Sequence, residues 1–371
     1  IGPVVEYGKG SYDSYLDNGF HGEGDTHYIG GGVISNSLIV GNYSEYSTGT
    51  AGGIYMDGGL ITHSVLHSFT FSNDATFGLA VRLRGGAMLS HSVVSNAYVM
   101  ANATKLHENQ PDTAAVRVDD GEVRNCLIVD NHLKFAKLTE TKSYAAGVYV
   151  GNKDGRLVSS TVVGNSVDLT GATVAGGVRM AAAGTVQNCI LWNNRNGNSE
   201  RNAVGTGTGT WNNNVAAEYL SLSGSGNLAA PAVMFQEGTW QLPAGSPVAG
   251  LGLFEGWMAD ATDLAGAPRT RDGTVVDPGM AAAGKPGELH KAWAWCTGEV
   301  SVTVEATGFE TDATGTNWFF HTENNGGASF DFKALSGKWT GDGVIHFVAG
   351  PIDVDGLKDT GYNGALTFVG E

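Results

Sequence analysis

A short phrase of two strands recurs along the first half of this 371-residue chain. Its second half reads as an apolar residue, two polar residues, a small residue and two further apolar residues. The small residue of the six copies is Ser37, Ser64, Ser92, Cys126, Thr161 and Cys189, so the copies lie 27 to 35 residues apart. Repeats of this length that carry strands and no helical period are typical of solenoids built from stacked β-coils. One coil cannot bury its own apolar face, so the sequence predicts six stacked coils with one continuous core.

The first strand of each coil alternates apolar and polar residues with the period of a β-strand. This alternation predicts that Tyr55, Arg82, Arg117, Tyr149 and Arg179 point outward in a single file, between inward-facing pairs such as Val81 and Leu83. The second strand has two adjacent apolar positions, as in Val65-Leu66, and the pattern leaves open which of the two faces inward. The bend before it is expected at Asn36, His63, His91, Asn125, Ser160 and Asn188. Asn tolerates a left-handed backbone there, and its amides can bond one coil to the next.

Composition divides the chain into three segments. Residues 1–28 do not fit the repeat and are predicted to form an N-terminal cap or an added strand. Residues 29–283 hold the coils and a closing coil. Residues 284–371 contain short alternating strands and turns such as Asn325-Gly326 and Asp342-Gly343, which predicts a small antiparallel β-sandwich. The predicted fold class is therefore all-β, a right-handed parallel β-helix (solenoid) followed by that sandwich.

Charge and apolar runs bear on localisation and partners. The net charge of −16 disfavours nucleic acid and anionic membrane surfaces as partners. No apolar run approaches the roughly 18 residues of a membrane-spanning helix, so no membrane insertion is expected. The sequence begins at Ile1 rather than Met, as a processed secretory chain or a trimmed one would. A secreted or cell-surface location is expected.

The three cysteines predict no disulfide framework. Cys126 and Cys189 take the same position in coils two apart, so about 10 Å should separate them. A disulfide needs Cα atoms within about 7 Å. Cys296 lies in another region, and all three are interpreted as small buried hydrophobes.

Several short motifs carry a resemblance to a known group. They include Gly85-Gly86-Ala87-Met88, Phe69-Thr-Phe-Ser-Asn73 and, within 227–281, Asp263-Leu-Ala-Gly266-Ala-Pro-Arg269 with Asp277-Pro-Gly279. On these motifs the coils resemble right-handed parallel β-helix repeat proteins, including the passenger regions of chlamydial polymorphic outer-membrane proteins, which are adhesins. The 227–281 segment resembles the closing coil of large bacterial β-helix proteins. The resemblance implies a fold, but this architecture serves many unrelated functions.

The outward file Tyr55–Arg82–Arg117–Tyr149–Arg179 is the main candidate ligand site. Arg can bind a uronate carboxylate in a bidentate manner and can neutralise the charge that opposes loss of an α-proton. If the protein is an enzyme, Arg82, Arg117, Tyr149 and Arg179 are the expected catalytic residues of a polysaccharide lyase or epimerase. The alternative is that Arg and Tyr stack between coils and cover the sheet.

Other clusters are interpreted as structural. His63 and His91 should stack in adjacent coils, with His67 nearby. A metal site would need a third ligand at proper geometry, and the favoured interpretation is that the two histidines replace Asn as bend residues. Asp119-Asp120 is predicted to form a turn before Gly121. Asp353, Asp355 and Asp359 resemble a Ca²⁺ loop in composition, but Gly356 comes too early for an EF-hand. No cofactor is predicted apart from this weak Ca²⁺ signal, and no metal site is assigned.

The sequence favours an extracellular structural and adhesive protein over an enzyme. In this interpretation Ile1, Val4, Val5 and Tyr7 form a strand that adds to a neighbouring subunit, giving head-to-tail filaments. The expected partners are further copies of the chain or a host or matrix carbohydrate. A uronate lyase or epimerase is the second hypothesis. A non-catalytic carbohydrate-binding protein that uses Trp residues between 293 and 339 is the third.

Overall fold

A computed structural model describes the chain in separate ranges. They are 27–29, 31–35, 38–40, 43–44, 53–67, 69–71, 78–101, 114–135, 144–168, 173–205, 208–216, 223–231, 234–235, 240–243, 245–264, 266–280 and, towards the C-terminus, the strands 300–302, 309–311, 318–321, 330–331, 339–341, 344–348, 352–353 and 365–369. These residues form β-strands and loops, with one 3₁₀ turn at Gly256–Met258. The predicted all-β fold class is confirmed. No helix within these ranges has the length and apolarity to cross a membrane.

Two seven-stranded parallel sheets carry the first two strands of each coil. Sheet A contains β1 (His27–Ile29), β5 (Ile54–Asp57), β9 (Gly78–Arg84), β13 (Ala114–Val118), β18 (Val148–Val150), β23 (Val178–Met180) and β28 (Ala203–Gly205) in that order. Sheet B contains β2 (Val33–Ser35), β6 (Leu60–Thr62), β10 (Met88–Ser90), β14 (Glu122–Arg124), β19 (Arg156–Val158), β24 (Thr185–Gln187) and β29 (Thr210–Asn212). Each strand therefore pairs with its counterpart in the next coil.

Two further sheets complete the coils. Sheet C contains β3 (Leu38–Val40), β7 (Val65–His67), β11 (Val93–Ser95), β15 (Leu127–Val129), β20 (Thr161–Val163), β25 (Ile190–Trp192), β30 (Val215–Ala216) and β31 (Leu228–Ala229). Sheet D contains β4 (Tyr43–Ser44), β8 (Thr70–Phe71), β12 (Tyr98–Ala101), β16 (His132–Phe135), β21 (Ser166–Val167), β26 (Arg195–Asn196) and β27 (Ser199–Glu200), of which β27 alone is antiparallel to its neighbour. A short pair, β17 (Tyr144–Ala145) and β22 (Val174–Ala175), precedes sheet A in two coils.

The stack has seven coils, one more than the sequence predicted. The seventh coil consists of β28, β29 and β30, and it pairs in register with the sixth. Trp211 takes the inward position and is fully buried. Sequence analysis missed this coil because Trp211 replaces the usual branched aliphatic residue and Asn214 replaces the small residue.

The alternation predicted for sheet A is confirmed. One cluster of buried side chains runs through the stack and contains all ten inward-facing residues, namely Ile54, Met56, Val81, Leu83, Val116, Val118, Val148, Val150, Val178 and Met180. Sheet C settles which of its two apolar positions faces inward. The second member, such as Leu66 or Ile128, lies in this core. The first, such as Val65 or Leu127, packs on the outer face of the sheet.

The bend between sheets B and C follows one backbone geometry, with one correction to the predicted register. His63, His91, Asn125, Ser159, Asn188 and Asn213 all have φ between 45° and 55°. In the fifth coil the bend residue is thus Ser159 rather than Ser160, and the small residue is Ser160 rather than Thr161. The strand pairing explains this shift, because Leu157 and not Val158 aligns with the buried Val123.

The coil-to-coil amide ladder lies at the other corner, between sheets C and D. Asn131, Asn165 and Asn194 are fully buried. The Asn131 amide donates to Asn165 Oδ1 at 2.8 Å, and the Asn165 amide donates to Asn194 Oδ1 at 2.9 Å. Of the two bend residues predicted to bond one coil to the next, Asn125 does so, because its Nδ2 lies 3.1 Å from Nε2 of His91 in the adjacent coil. The amides of Asn125 and Asn188 also bind another part of the chain.

That part is a segment of residues 249–280, which we call the strap. It includes the 3₁₀ turn and a two-stranded pair, β32 (Thr270–Arg271) with β33 (Val275–Val276). Asn213 of coil seven donates to Leu251 O at 2.8 Å, Asn188 of coil six donates to Leu253 O at 2.7 Å, and Asn125 of coil four donates to Thr262 O at 3.0 Å. The strap thus runs back along the stack. Among the described residues of the predicted closing coil, β31 alone continues the stack.

The C-terminal strands form smaller pairings. β34 (Val300–Val302) pairs antiparallel with β38 (Trp339–Gly341), and β35 (Phe309–Thr311) pairs antiparallel with β36 (Trp318–His321). β37 (Phe330–Asp331) pairs in parallel with β40 (Ile352–Asp353). β39 (Val344–Val348) lies between β36 and β41 (Ala365–Val369), and β41 pairs in parallel with β3 of the first coil.

Candidate functional site

The predicted outward file occupies successive positions of sheet A. Strand register pairs Tyr55 with Arg82, Arg82 with Arg117, Arg117 with Tyr149 and Tyr149 with Arg179. None of the five side chains belongs to the continuous core, because period-two alternation directs them to the opposite face of the sheet. The structure therefore brings all five predicted residues together.

Aromatic rings enclose the two central arginines. The guanidinium carbon of Arg82 lies 5.6 Å from the centroid of the Tyr55 ring, and that of Arg117 lies 5.0 Å from the Tyr149 ring. Both distances are within the range of cation–π attraction. The file is thus a Tyr–Arg–Arg–Tyr sandwich across four coils, followed by Arg179, whose Nη1 donates to Met180 O at 3.2 Å.

Asp119 bridges the two arginines of this sandwich. Arg82 Nε and Nη2 lie 2.8 and 2.7 Å from Asp119 Oδ2, and Arg117 Nε donates to Oδ1 at 2.8 Å. Burial is the largest influence on the Arg82 pKa and lowers it, while the Asp119 charge opposes this shift. The carboxylate thus offsets the repulsion between two cations in adjacent coils. Asp119-Asp120 does follow β13 in a bend, but its ion-pairing role was missed.

A second outward file runs beside the first. It consists of the residues two positions later, Asp57, Arg84, Asp119 and Gly151, and the pairing of Asp57 with Arg84 fixes its register. Arg84 is exposed, and its Nη1 donates to Tyr55 Oη at 3.0 Å. A Cβ on Gly151 would lie 2.5 Å from Asp119 Oδ1, so glycine is needed for Asp119 to sit between the guanidinium groups. The i+2 spacing of Arg82-Leu-Arg84 and Arg117-Val-Asp119 was the sequence signal for this file.

The two files line a cleft of about 360 Å³ that opens to solvent. Its lining is almost entirely polar, with three guanidinium groups, two carboxylates and one amide, contributed by Arg82, Arg84, Arg117, Asp119, Asp120, Gly151 and Asn152. Asp120 Oδ1 accepts a hydrogen bond from the Gly85 backbone at 2.9 Å, which fixes that carboxylate at the rim.

The first file itself is poorly accessible. Tyr149, Tyr55, Arg179, Arg82 and Arg117 are between 2 and 9% exposed. A general base must reach the substrate proton directly or through one water, and the buried Tyr149 ring packs against Arg117. The file therefore fits the stacking interpretation. In the second file Arg84 is exposed and Asp57 is half-buried, whereas Asp119 is as buried as the two arginines that it bridges.

The remaining predicted sites divide into three cases. The His63 and His91 rings stack as expected, with centroids 4.9 Å apart. Within the described ranges, no three His, Cys, Asp or Glu side chains come together as a metal site.

Cys126 and Cys189 are buried free thiols, and burial raises the pKa of each to about 12. Ile1, Val4, Val5, Tyr7, Trp293, Trp295, Cys296, Asp355 and Asp359 lie outside the described residues, as do the side chains of Trp318, Trp339 and Asp353.

An ionic cluster under the strap was also missed. Glu255 accepts hydrogen bonds from Arg156 at 2.8 Å and from the Trp257 indole at 2.7 Å. The Trp257 ring lies 4.6 Å from the Arg124 guanidinium. The cluster docks the strap on the outer face of sheet B. No local pattern indicated it, because its members are far apart in sequence.

Asp263, Arg269 and Asp277, from the motifs of the predicted closing coil, lie in the interior of the strap. Arg269 is fully buried and donates to Asp277 O, and burial lowers its pKa to about 10. The carboxylates of Asp263 and Asp277 oppose this lowering of the Arg269 pKa. A Cβ on Gly279, whose φ is 86°, would lie 2.5 Å from Ile190 Cδ1. These motif residues therefore have packing roles.

The fold and the paired outward files define a parallel β-solenoid with a buried Arg/Tyr ladder and an adjoining polar cleft. No protein-family model, no curated protein and no solved structure matches the chain significantly.

Proposed function

We propose that this chain is an extracellular structural and adhesive β-helix protein that assembles head to tail. The observation that carries this proposal is the open end of the stack. Within the described residues, sheet A ends at β1 and at β28, and sheet B begins at β2. The outer edge of β29 is already bonded by residues 223–225, because the Trp211 N–H donates to Ser223 O at 2.8 Å and the Asn213 N–H donates to Ser225 O at 2.9 Å. A terminal strand with a free edge is a place where a strand of another copy can add.

The pairing of β41 with β3 supports strand addition at the first coil. Leu38 to Val40 pair in parallel with Thr367 to Val369, so the first strand of sheet C accepts a strand from outside the stack. Heterologous contacts of this type generate open filaments when the rotation does not close a ring. The predicted donor, Ile1 to Tyr7, remains part of the proposal.

The buried ladder supports a structural role over catalysis. Tyr149 and Arg179, two of the four residues expected to be catalytic in a lyase, are only 2 and 5% exposed, so a polymer substrate would not reach them. A secreted or cell-surface location and kinship with outer-membrane passenger adhesins belong to this proposal. They rest on the net charge of −16 and on the coil motifs.

Negative-stain electron microscopy with light scattering tests the assembly. Filaments, or oligomers that grow with concentration, are expected from the purified chain. A variant without residues 1–10 should shift the distribution towards monomers. A strict monomer at high concentration would contradict the assembly. Ultraviolet absorbance of unsaturated products from alginate or pectate would establish the lyase hypothesis instead.

A further inference from the structure

We propose that the cleft beside the ladder binds a sugar unit that carries a carboxylate or a sulfate. This inference rests on the adhesive part of the proposed function and names the ligand class. The contact residues are Arg84, Asp120 and Asn152, none of which belongs to the predicted file.

The first step is the position of Arg84. Its side chain is exposed at the opening of the cleft, and the bond from Nη1 to Tyr55 Oη holds one edge of its guanidinium group. A guanidinium held in this way loses less side-chain entropy when it binds a second group. The Tyr55 interaction raises the pKa of Arg84, so the group stays cationic at any physiological pH.

The second step is the mixed character of the lining. A cleft for a bare anion needs cations alone, whereas this cleft also presents the carboxylate of Asp120 and the amide of Asn152. Sugar hydroxyls both donate and accept hydrogen bonds, so they suit carboxylate and amide partners. An anionic group on the same sugar would pair with Arg84.

The third step is the rigidity of the site. Asp119 fixes the floor through its bonds to Arg82 and Arg117, and Asp120 is fixed by the Gly85 backbone. Neighbouring strands of sheet A hold these residues in register. A preorganised polar site loses little entropy on binding. The same cleft therefore offers both a charge contact and oriented hydroxyl contacts.

Titration calorimetry of the full chain tests the ligand class with tetragalacturonate, a carrageenan tetrasaccharide and cellotetraose. Binding of either acidic oligosaccharide, with cellotetraose at least about tenfold weaker, is expected from one charge-assisted hydrogen bond. Comparison of the affinities for tetragalacturonate and for the carrageenan tetrasaccharide shows whether the cleft prefers a carboxylate or a sulfate. Equal binding of cellotetraose, or no binding of either acidic ligand, would overturn the proposal.

Two substitutions give opposite expectations. Arg84→Gln should weaken acidic-ligand binding about tenfold, because it removes the exposed cation. Asp120→Asn should strengthen it a few-fold, because it keeps an acceptor oxygen for the sugar hydroxyls and removes a nearby like charge. Arg195→Gln is the matched control, since Arg195 is an exposed arginine of sheet D. An unchanged affinity in Arg84→Gln, or a weaker one in Asp120→Asn, would refute the assignment.

The assembly assay separates this inference from the proposed function. Filaments formed equally by the wild type and by Arg84→Gln, together with absent oligosaccharide binding, would reject the cleft alone. Oligosaccharide binding by a strict monomer would reject the assembly alone.

Discussion

Asn188 and Leu253 exchange two hydrogen bonds of 2.7 Å, one from the Asn188 amide to Leu253 O and one from the Leu253 backbone N–H to Asn188 Oδ1. The side chain thus imitates a peptide group and adds the strap to the coil as a strand would add to a sheet. Asn188 also has φ of 55°, a conformation that Asn tolerates better than most residues.

Asn188→Ala should destabilise the protein by about 2–4 kcal/mol, because it removes two partly buried hydrogen bonds and places Ala in the left-handed region. Asn188→Gly separates the two effects, since Gly accepts this backbone and only the amide is lost. Urea denaturation measures both variants. Equal stability of the wild type and Asn188→Gly would show that the exchanged bonds contribute nothing.

Arg269→Met should cost about 3–5 kcal/mol, because it leaves the buried carboxylates of Asp263 and Asp277 without their central cation. The control is Arg271→Gln, which removes a half-exposed partner of Asp277 and should cost about 1 kcal/mol. Thermal denaturation and limited proteolysis within the strap report the loss. A Met variant as stable as the wild type would exclude a structural role for this charge.

Asp119→Asn should cost about 3 kcal/mol, since Arg82 and Arg117 then face each other without the bridging carboxylate. Sulfate should restore more of the melting temperature in this variant than in the wild type, because an anion can take the place of the lost charge. Asp120→Asn is the control and should change stability by less than about 1 kcal/mol. A sulfate effect of the same size in all three proteins would contradict the bridging role.

Acid should destabilise the protein through His91, whose charged ring is disfavoured by burial beneath the strap. Burial lowers the His91 pKa below 6.5, and His63, Arg124 and Arg269 add to this shift, while the contact of 2.8 Å between Nε2 and Thr262 O opposes it. The unfolded chain therefore binds this proton first, so stability should fall as pH drops through about 6.5 and level off below the folded pKa.

His91→Asn is the informative variant for this pH dependence, because Asn occupies the same bend position in coils four and six. Denaturation at about pH 7.5 and about pH 5 should show a smaller loss of stability in His91→Asn than in the wild type. The residual loss is expected from His63 and His67, whose pKa values burial also lowers. If His91→Asn lost as much stability at acid pH as the wild type, His91 would not be the cause of the pH dependence.

Features that depend on local periodicity could be predicted from the sequence. The inward pairs of sheet A, the outward file and the His63–His91 stack follow from alternation and from the repeat length alone. Among the coils whose bend the structure describes, which leaves out Asn36 and Ser37 of the first, the predicted register failed in the fifth coil. There Leu157 and Val158 are both apolar and both buried. Periodicity cannot distinguish two such neighbours; the pairing with Val123 does.

Features that depend on contacts distant in sequence could not be predicted. The bend residues were expected to bond one another, and Asn125 Nδ2 does lie 3.1 Å from His91 Nε2, but their bonds to the backbone of the strap, such as that to Thr262 O, were not predicted. Asp119 was interpreted as a turn residue because its partner Arg82 lies 37 residues away. The cleft could not be predicted either, because its lining residues come together only when the register of three adjacent coils is known.

The course of the strap has a consequence for how the coils unfold when the protein is heated or pulled. In a solenoid where each coil contacts only its neighbours, coils can melt from the ends one at a time. Here a single segment bonds coils three, four, six and seven. Loss of the last coil therefore strips contacts from the middle of the stack. Coils three to seven should melt as one cooperative unit rather than fray stepwise.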